Sequence, residues 1–537
     1  MLYRERMLRL LGLQQPVTTH NPRRWLNLFG AMLLCVGVPM HTLAASDEAS
    51  RSETLRVEGL GTATQLQARA VGDFVPCQLT HVDEIQSFAA ECLEIELAER
   101  VGAVRRIRLS LVRLPAVSRR EHSDPIVLLA GGPGGDAQSM YTQVAGVFAR
   151  IGRTRDILLL DQRGTGRSTP LRCAADELEE LSGLSMDQEL KRFLDESEQC
   201  RDALALEHDL SAYTTSHAVR DLEAVRVLLG YETFNIYAVS YGTRVAQHFA
   251  RRYPERVRSM VLDGVVAPET ILGPELALHA QAALDGIFER CRLDADCNSA
   301  FPNLGSQTRL LLKKLTQQAE LLSLAHPRTG EPLELEFGAA QLKLVLRLVS
   351  YQSQQAALLP LAINQAIKGQ YQSLAVLYVL TAESLSRALA TGMHNTVMCS
   401  EDLSRLNPTT TDDAALQATY LGRDMLNFLQ QLCRVWPKGL VDTDFHEPLI
   451  SPIPTLLLSG TLDPVTPPGD AAKVTSTLAN ARHLILPGEG HGQLGIRCMD
   501  RVLADFFATA DSLSLDTRCL ENKRLPPFWL SLAGPAP

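Results

Sequence analysis

An α/β chain with a mostly parallel central sheet, interrupted by a large helical insertion, is what this sequence of 537 residues predicts. Two observations carry that expectation. From residue 126 onward, short unbroken apolar runs recur, each ending at a Gly- or Asp-bearing turn: IVLLAGGPGG, ILLLDQRGTG, FNIYAVSYGT, SMVLDGVV and, much later, TLLLSGTLDP and LILPGEGHG. Such runs suit strands buried on both faces of a parallel sheet, whose ligand site lies at the carboxyl ends of the strands. Between Asp263 and Pro454, about 190 residues are mostly helical in pattern, as in QLKLVLRLVSYQSQQAALLPLAINQAI.

Composition agrees with a large globular core. Hydrophobic residues make up 45% and charged residues 21%, with 35 Gly and 28 Pro, which excludes collagen-like and compositionally disordered classes. Fifty-two Lys and Arg against 61 Asp and Glu leave a net charge of -9, which repels phosphate backbones, so no nucleic-acid partner is expected.

Taken in order, residues 1–45 read as a signal peptide: Arg23 and Arg24, then the apolar run Trp25 to Met40, then HTLAASDE. Sixteen residues of helix reach only about 24 Å, short of the ~30 Å hydrocarbon core. Removal near Ala44 or Ala45 is therefore expected, an uncleaved N-terminal anchor being the competing reading, and no later stretch is apolar over a bilayer's length. Residues 46–266 form the first part of the core. They begin with antiparallel strands over 46–120, where LEIELAE and RRIRLSLVRL alternate. Residues 267–445 are the insertion. It leaves the sheet on the loop side, so its natural place is over the strand ends as a lid, the alternative being a separate domain. Residues 446–537 complete the core.

Eleven cysteines, less Cys35 in the signal, leave an even ten in a chain expected to enter an oxidising compartment, periplasmic or extracellular. Successive neighbours make local loops: Cys77 with Cys92, Cys173 with Cys200, Cys291 with Cys297, Cys399 with Cys433, and Cys498 with Cys519. No metal is expected, because CxxC and HExxH are absent. The calcium-like start DADCN lacks both the Gly and the closing Glu that a calcium loop needs, where Ser299 and Gly305 stand.

Chemistry concentrates at NIYAVSYGTRVAQHFARR. An apolar strand runs into Ser240 and straight out into a helix, with Ala238 and Gly242 as the small flanking residues a sharp nucleophile turn requires. A serine hydroxyl needs a base, and the base needs an orienting acid. In an α/β-hydrolase these follow as acid, then histidine. Asp463 lies just beyond a strand in LLLSGTLDPVTPP, and His491 lies in the loop after the last strand, in LILPGEGHGQ. Asp263, ending VLDG, is the reserve acid. Oxyanion donors are expected from the backbone of Tyr241, which starts the helix, and of Gly132 in AGGPGG. That loop has neither GxxxxGK nor GxGxxG spacing, so it is no phosphate cradle. Asp161 and Arg163 of DQRGTGRS are expected to buttress it.

With these residues in view, the sequence resembles the secreted α/β-hydrolase peptidases related to prolyl aminopeptidase, in their tripeptidyl-aminopeptidase-like branch. The resemblance runs from Cys77 and ECLEIEL through GGPGG, DQRGTGRS, SYGT, YPERVRSMVLDGVV and SGTLDPVTPP to GEGHG, roughly residues 70 to 525. It implies Ser240 as nucleophile, Asp463 as acid and His491 as base. It also implies an exopeptidase acting on a free amino end beneath a helical lid. Two positions depart from the family pattern: Ala130 replaces a His that often precedes GGPG, and Ala238 replaces the first elbow glycine.

Recognition of an ammonium calls for a carboxylate. Glu401 and Asp402, beside Cys399, are the candidates for substrate binding, with an exposed acidic turn as the competing reading. The expected reaction is cofactor-free acyl transfer from a peptide, or from a small acyl or amide substrate, to water. An esterase or amidase with the same triad, and a noncatalytic binding protein on the same scaffold, are the alternatives.

Overall fold

The computed structural model describes residues 53–57, 64–80, 86–173, 186–406 and 412–534. The signal-peptide reading of residues 1–45 lies outside them. The antiparallel strands of the first part are β1 (Glu53–Val57), β2 (Thr64–Ala70), β3 (Val75–Thr80), β4 (Ser87–Ala98) and β5 (Arg106–Leu114). The next four are β6 (Ile126–Leu129), β7 (Ile157–Leu160), β8 (Phe234–Val239) and β9 (Val257–Asp263). A hairpin of β10 (Glu320–Ala325) and β11 (Pro332–Phe337) stands apart, and β12 (Thr455–Gly460) and β13 (Ala481–Leu486) complete the main sheet.

The main sheet runs β1-β2-β4-β5-β7-β6-β8-β9-β12-β13, with β3 on β4. From β7 to β13 every pairing is parallel, while β5 meets β7 antiparallel. The unbroken apolar runs explain this, because β6, β7 and β12 are buried at every position. Alternation within them divides two cores. Val127, Leu129, Leu158, Ile236 and Leu457 face one core, with Val219, Leu222, Val245 and Phe249 of the helices Thr215–Leu229 and Tyr241–Arg252. Ile126, Leu128, Leu159, Tyr237 and Leu456 face the other, with Phe148 and with Phe506 of the helix Met499–Thr509.

The insertion packs in two parts. Residues from Ala277 to Leu426 supply a third core, which also takes in Phe528 of the C-terminal tail. Ala390, Met393, Val397, Cys399, Leu432, Cys433 and Trp436 instead join the core shared with the helices Thr215–Leu229 and Tyr241–Arg252. The hairpin β10-β11 was not legible in a segment read as mostly helical. Five disulfides join the successive pairs Cys77–Cys92, Cys173–Cys200, Cys291–Cys297, Cys399–Cys433 and Cys498–Cys519. Asp294 of DADCN caps a short helix through the Cys297 amide at 2.9 Å. Among the described residues, no single helix is long and apolar enough to cross a membrane.

Candidate active site

Ser240 directly follows β8 with φ 57° and ψ −129°, a backbone that non-glycine residues rarely adopt, and the helix Tyr241–Arg252 starts at the next residue. Its amide donates to the Asp263 carbonyl at 2.8 Å, and its own carbonyl accepts from the Thr243 amide at 2.9 Å and the Thr243 hydroxyl at 2.6 Å. The turn is thus pinned from both sides. Gly131 lies against it: a β-carbon there would come within 2.7 Å of Ser240 Cβ. Gly242 has no room for a side chain against the carbonyls of Leu129 and Ala130.

Asp463 follows β12 and is fully buried. Its Oδ1 accepts from the amides of Val465 and Thr466, both at 2.8 Å, and its Oδ2 from the Thr466 hydroxyl at 2.9 Å. Oδ2 also meets His491 Nδ1 at 2.8 Å. Burial alone would push this carboxyl up, but the adjacent imidazole and the two amides outweigh it and hold Asp463 below its ordinary range. Burial pulls His491 down. Its Asp463 partner and then Asp263 overcome that and leave the imidazole raised. From the insertion, Tyr351 accepts the His491 amide on its carbonyl at 2.7 Å and sets its ring edge-on to the imidazole at 5.2 Å.

The reserve acid Asp263 is not bonded to His491. Its Oδ2 accepts from the Tyr237 hydroxyl at 2.8 Å and the Gln493 amide at 2.7 Å, and burial pushes it up to about 6. It sits beneath the histidine loop and supports it there.

The glycine loop is held from two sides. On the insertion side, His394 Nδ1 lies 3.0 Å from the Pro133 carbonyl and the Ala390 amide donates to Gly134 at 2.9 Å. On the sheet side, Asp161 accepts from the amides of Gln138 at 3.2 Å and Arg167 at 3.0 Å. Asp136 caps the helix that follows through the Ser139 amide at 2.7 Å. Burial, with Asp136 close by, pushes Asp161 up to about 8. Arg163 departs from its expected role: it points away from the loop into a buried ion pair with Asp221 at 2.6 Å and onto the carbonyls of Glu99 and Ala212.

Glu401 and Asp402 also call for a correction. They lie in one π-helical turn, Met398–Asp402, with no exposure, so they are not an exposed acidic turn. Their oxygens are already engaged, which removes them as open receptors for a substrate ammonium. Asp402 pairs with Arg244 at 3.0 Å and accepts the Leu272 amide at 2.8 Å. Glu401 accepts from the Thr215 amide at 2.7 Å and the Thr215 hydroxyl at 2.9 Å, and burial pushes it up to about 7. Thr215 in turn meets the Tyr241 hydroxyl at 2.5 Å, so the pair braces the helix behind Ser240. Thr466, Tyr351, Thr215 and Arg244 went unread in the sequence. Only Thr466 had a local signal, its place three residues beyond an aspartate before a helix.

A parallel sheet with a strained strand-to-helix turn at a central strand's carboxyl end, and an aspartate-bonded histidine at the same sheet end, has the architecture of a hydrolase. The sequence matches the family described as alpha/beta hydrolase fold over residues 124–494, more than half of its length, and the protein belongs to that family. It is 26% identical over 413 residues to a putative hydrolase, YuaR, of Escherichia coli (strain K12), covering 72% of this chain and 77% of that one. It is 31% identical over 179 residues to a tripeptidyl aminopeptidase of Streptomyces lividans, covering 30% and 33%. It is 29% identical over 209 residues to the serine protease Hip1 of Mycobacterium tuberculosis (strain ATCC 25618 / H37Rv), covering 35% and 38%. The chain thus spans about a third of the length of these last two relatives. It is an enzyme of the serine hydrolase class.

Proposed function

We propose that the protein is an exported serine aminopeptidase that releases residues or short peptides from a free amino end through an acyl-enzyme. The observation that carries this reading is the Asp463 to His491 hydrogen bond at the same sheet end as the strained Ser240 turn. With Nδ1–H committed to Asp463, Nε2 is the basic nitrogen. It takes the Ser240 proton as the hydroxyl attacks the scissile carbonyl, then delivers it to the departing amine. Water repeats the sequence on the ester. The amides of Tyr241 and Gly132 hold the oxyanion, and the close fit of Gly131 on Ser240 supports that placement. Residues 267–445 cover the site as a lid. The relatives named as peptidases support a peptide substrate, and five disulfides support an oxidising compartment outside the cytoplasm.

A fluorophosphonate probe should label the wild type and not Ser240→Ala. Equal labelling of both would remove Ser240 from the mechanism. Aminoacyl and tripeptidyl arylamides, free and N-acetylated, then separate the peptidase from an esterase or amidase. Turnover indifferent to acetylation, or confined to simple aryl esters, would refute the aminopeptidase.

A further inference from the structure

The deeply buried guanidiniums of Arg163 and Arg244 each face a carboxylate. Arg347, on the helix Ala339–Val349 of the insertion, has no such partner among the described residues. It is half-buried, its Nε is enclosed without a hydrogen-bond partner among the described residues, and its Nη2 donates to the Tyr351 hydroxyl at 3.4 Å. The buried hydroxyl of Tyr420 also lacks a partner. Burial raises that phenol, Arg347 works against the rise and Tyr351 adds to it, so Tyr420 lies within electrostatic range of both. Unsatisfied buried polar atoms are costly, and a guanidinium without a carboxylate partner, bonded to one phenol and within electrostatic range of another, has the makings of an anion receptor.

Its location defines what it meets. Tyr351 holds His491 through its carbonyl at 2.7 Å and its ring at 5.2 Å, so the cluster begins one residue from the base. The Arg347 charge acts on His491 and also on His394, which holds Pro133 of the glycine loop. In the mechanism above, the histidine protonates the departing amine, so groups beside it contact the leaving fragment.

We propose that Arg347, with the hydroxyls of Tyr351 and Tyr420, receives a substrate carboxylate on the leaving-group side of the scissile bond. A planar guanidinium suits a carboxylate, which it binds through two parallel hydrogen bonds. In a peptide the carboxylate is either the free C-terminus of a short substrate or an acidic side chain close beyond the cleaved bond. This assignment rests on the aminopeptidase reading for its substrate class, and its binding test does not depend on turnover.

Calorimetric titration of the protein with Ala-Ala and with Ala-Ala amide measures the terminal carboxylate, and Asp-Ala amide against Asn-Ala amide measures the side chain. At least one acid should bind about tenfold more tightly than its neutral counterpart. Arg347→Gln should bring that ratio to about one, and Arg347→Lys should restore part of it. Each ratio is internal to one protein, so a loss of folded material cancels. Equal or absent binding of acid and neutral ligands by the wild type, or a ratio unchanged in Arg347→Gln, overturns the proposal. Discrimination without cleavage of any free-amine peptide refutes the aminopeptidase and leaves the receptor standing.

Discussion

The imidazole of His491 rests on the backbone of Gly264: a β-carbon at that glycine would lie 2.9 Å from Cε1 and 3.1 Å from Nδ1. Gly264 directly follows Asp263, whose carbonyl holds the Ser240 amide, and Gly131 crowds Ser240 from the β6 side. Two absent side chains therefore make room for Ser240 and His491. Gly131→Ala should lower kcat/KM about 100-fold or more by displacing the hydroxyl, since small misplacements carry such penalties. Fluorophosphonate labelling kinetics read this directly, and a wild-type rate would show that the turn relaxes freely around the added methyl.

Asp463→Asn should lower kcat by about 10⁴, because the amide favours the wrong imidazole tautomer. In the wild type the raised His491 must lose its proton to act, so activity is lost as pH falls through a value above the ordinary ~6.5. The acid limb of the kcat/KM profile should shift downward in the variant. A wild-type limb below the ordinary histidine value would contradict the paired geometry.

Glu401 makes stability depend on pH. Its folded value of about 7 exceeds the ~4.3 of an unfolded chain, so the folded state holds the proton more tightly. Its contribution is fully present below pH ~4.3 and is lost as pH rises through about 7. The difference in unfolding free energy between wild type and Glu401→Gln should therefore decline across that window and level off above it. Urea melts of both proteins from acid to neutral pH measure it, and a flat difference would mean that the carboxyl titrates normally.

Replacing both Cys399 and Cys433 with Ala should lower stability by about 2 to 4 kcal/mol, visible as a lower Tm. The bond spans 34 residues, against 6 for Cys291–Cys297, so the chain-entropy account predicts a smaller loss for the short loop. Thermal melts of the two double variants should rank in that order, and the reverse order would point to packing around the short loop instead.

What the sequence revealed was whatever leaves a local trace. Unbroken apolar runs announced the parallel strands, and the apolar strand leading into Ser240 announced the turn. The order of Asp463 and His491 followed from chain position relative to strand ends. Neighbouring cysteines matched the bonded pairs because each loop closes locally. Burial of Glu401 and Asp402 was not legible, since it depends on Arg244 and Thr215, far away in the chain and carrying no motif. The same holds for Arg163, whose partner Asp221 lies on a helix with an ordinary amphipathic pattern. The hairpin β10-β11 does alternate in burial, down to buried Leu335 and Phe337 in PLELEF, but each strand is six residues long inside a segment whose dominant pattern is helical.

The insertion's division between two cores has a mechanical consequence. Ala390, Met393, Val397 and Cys399, with Leu432, Cys433 and Trp436, share their apolar packing with the sheet, and the Cys399–Cys433 bond rivets them there. The preceding helices have a core of their own, but the tail buckles onto them: the Trp529 amide reaches the Ala357 carbonyl at 3.2 Å, and Arg290 lies 4.0 Å over Phe528. Any movement of those helices away from the tail therefore has to break this clasp at Phe528 and Trp529.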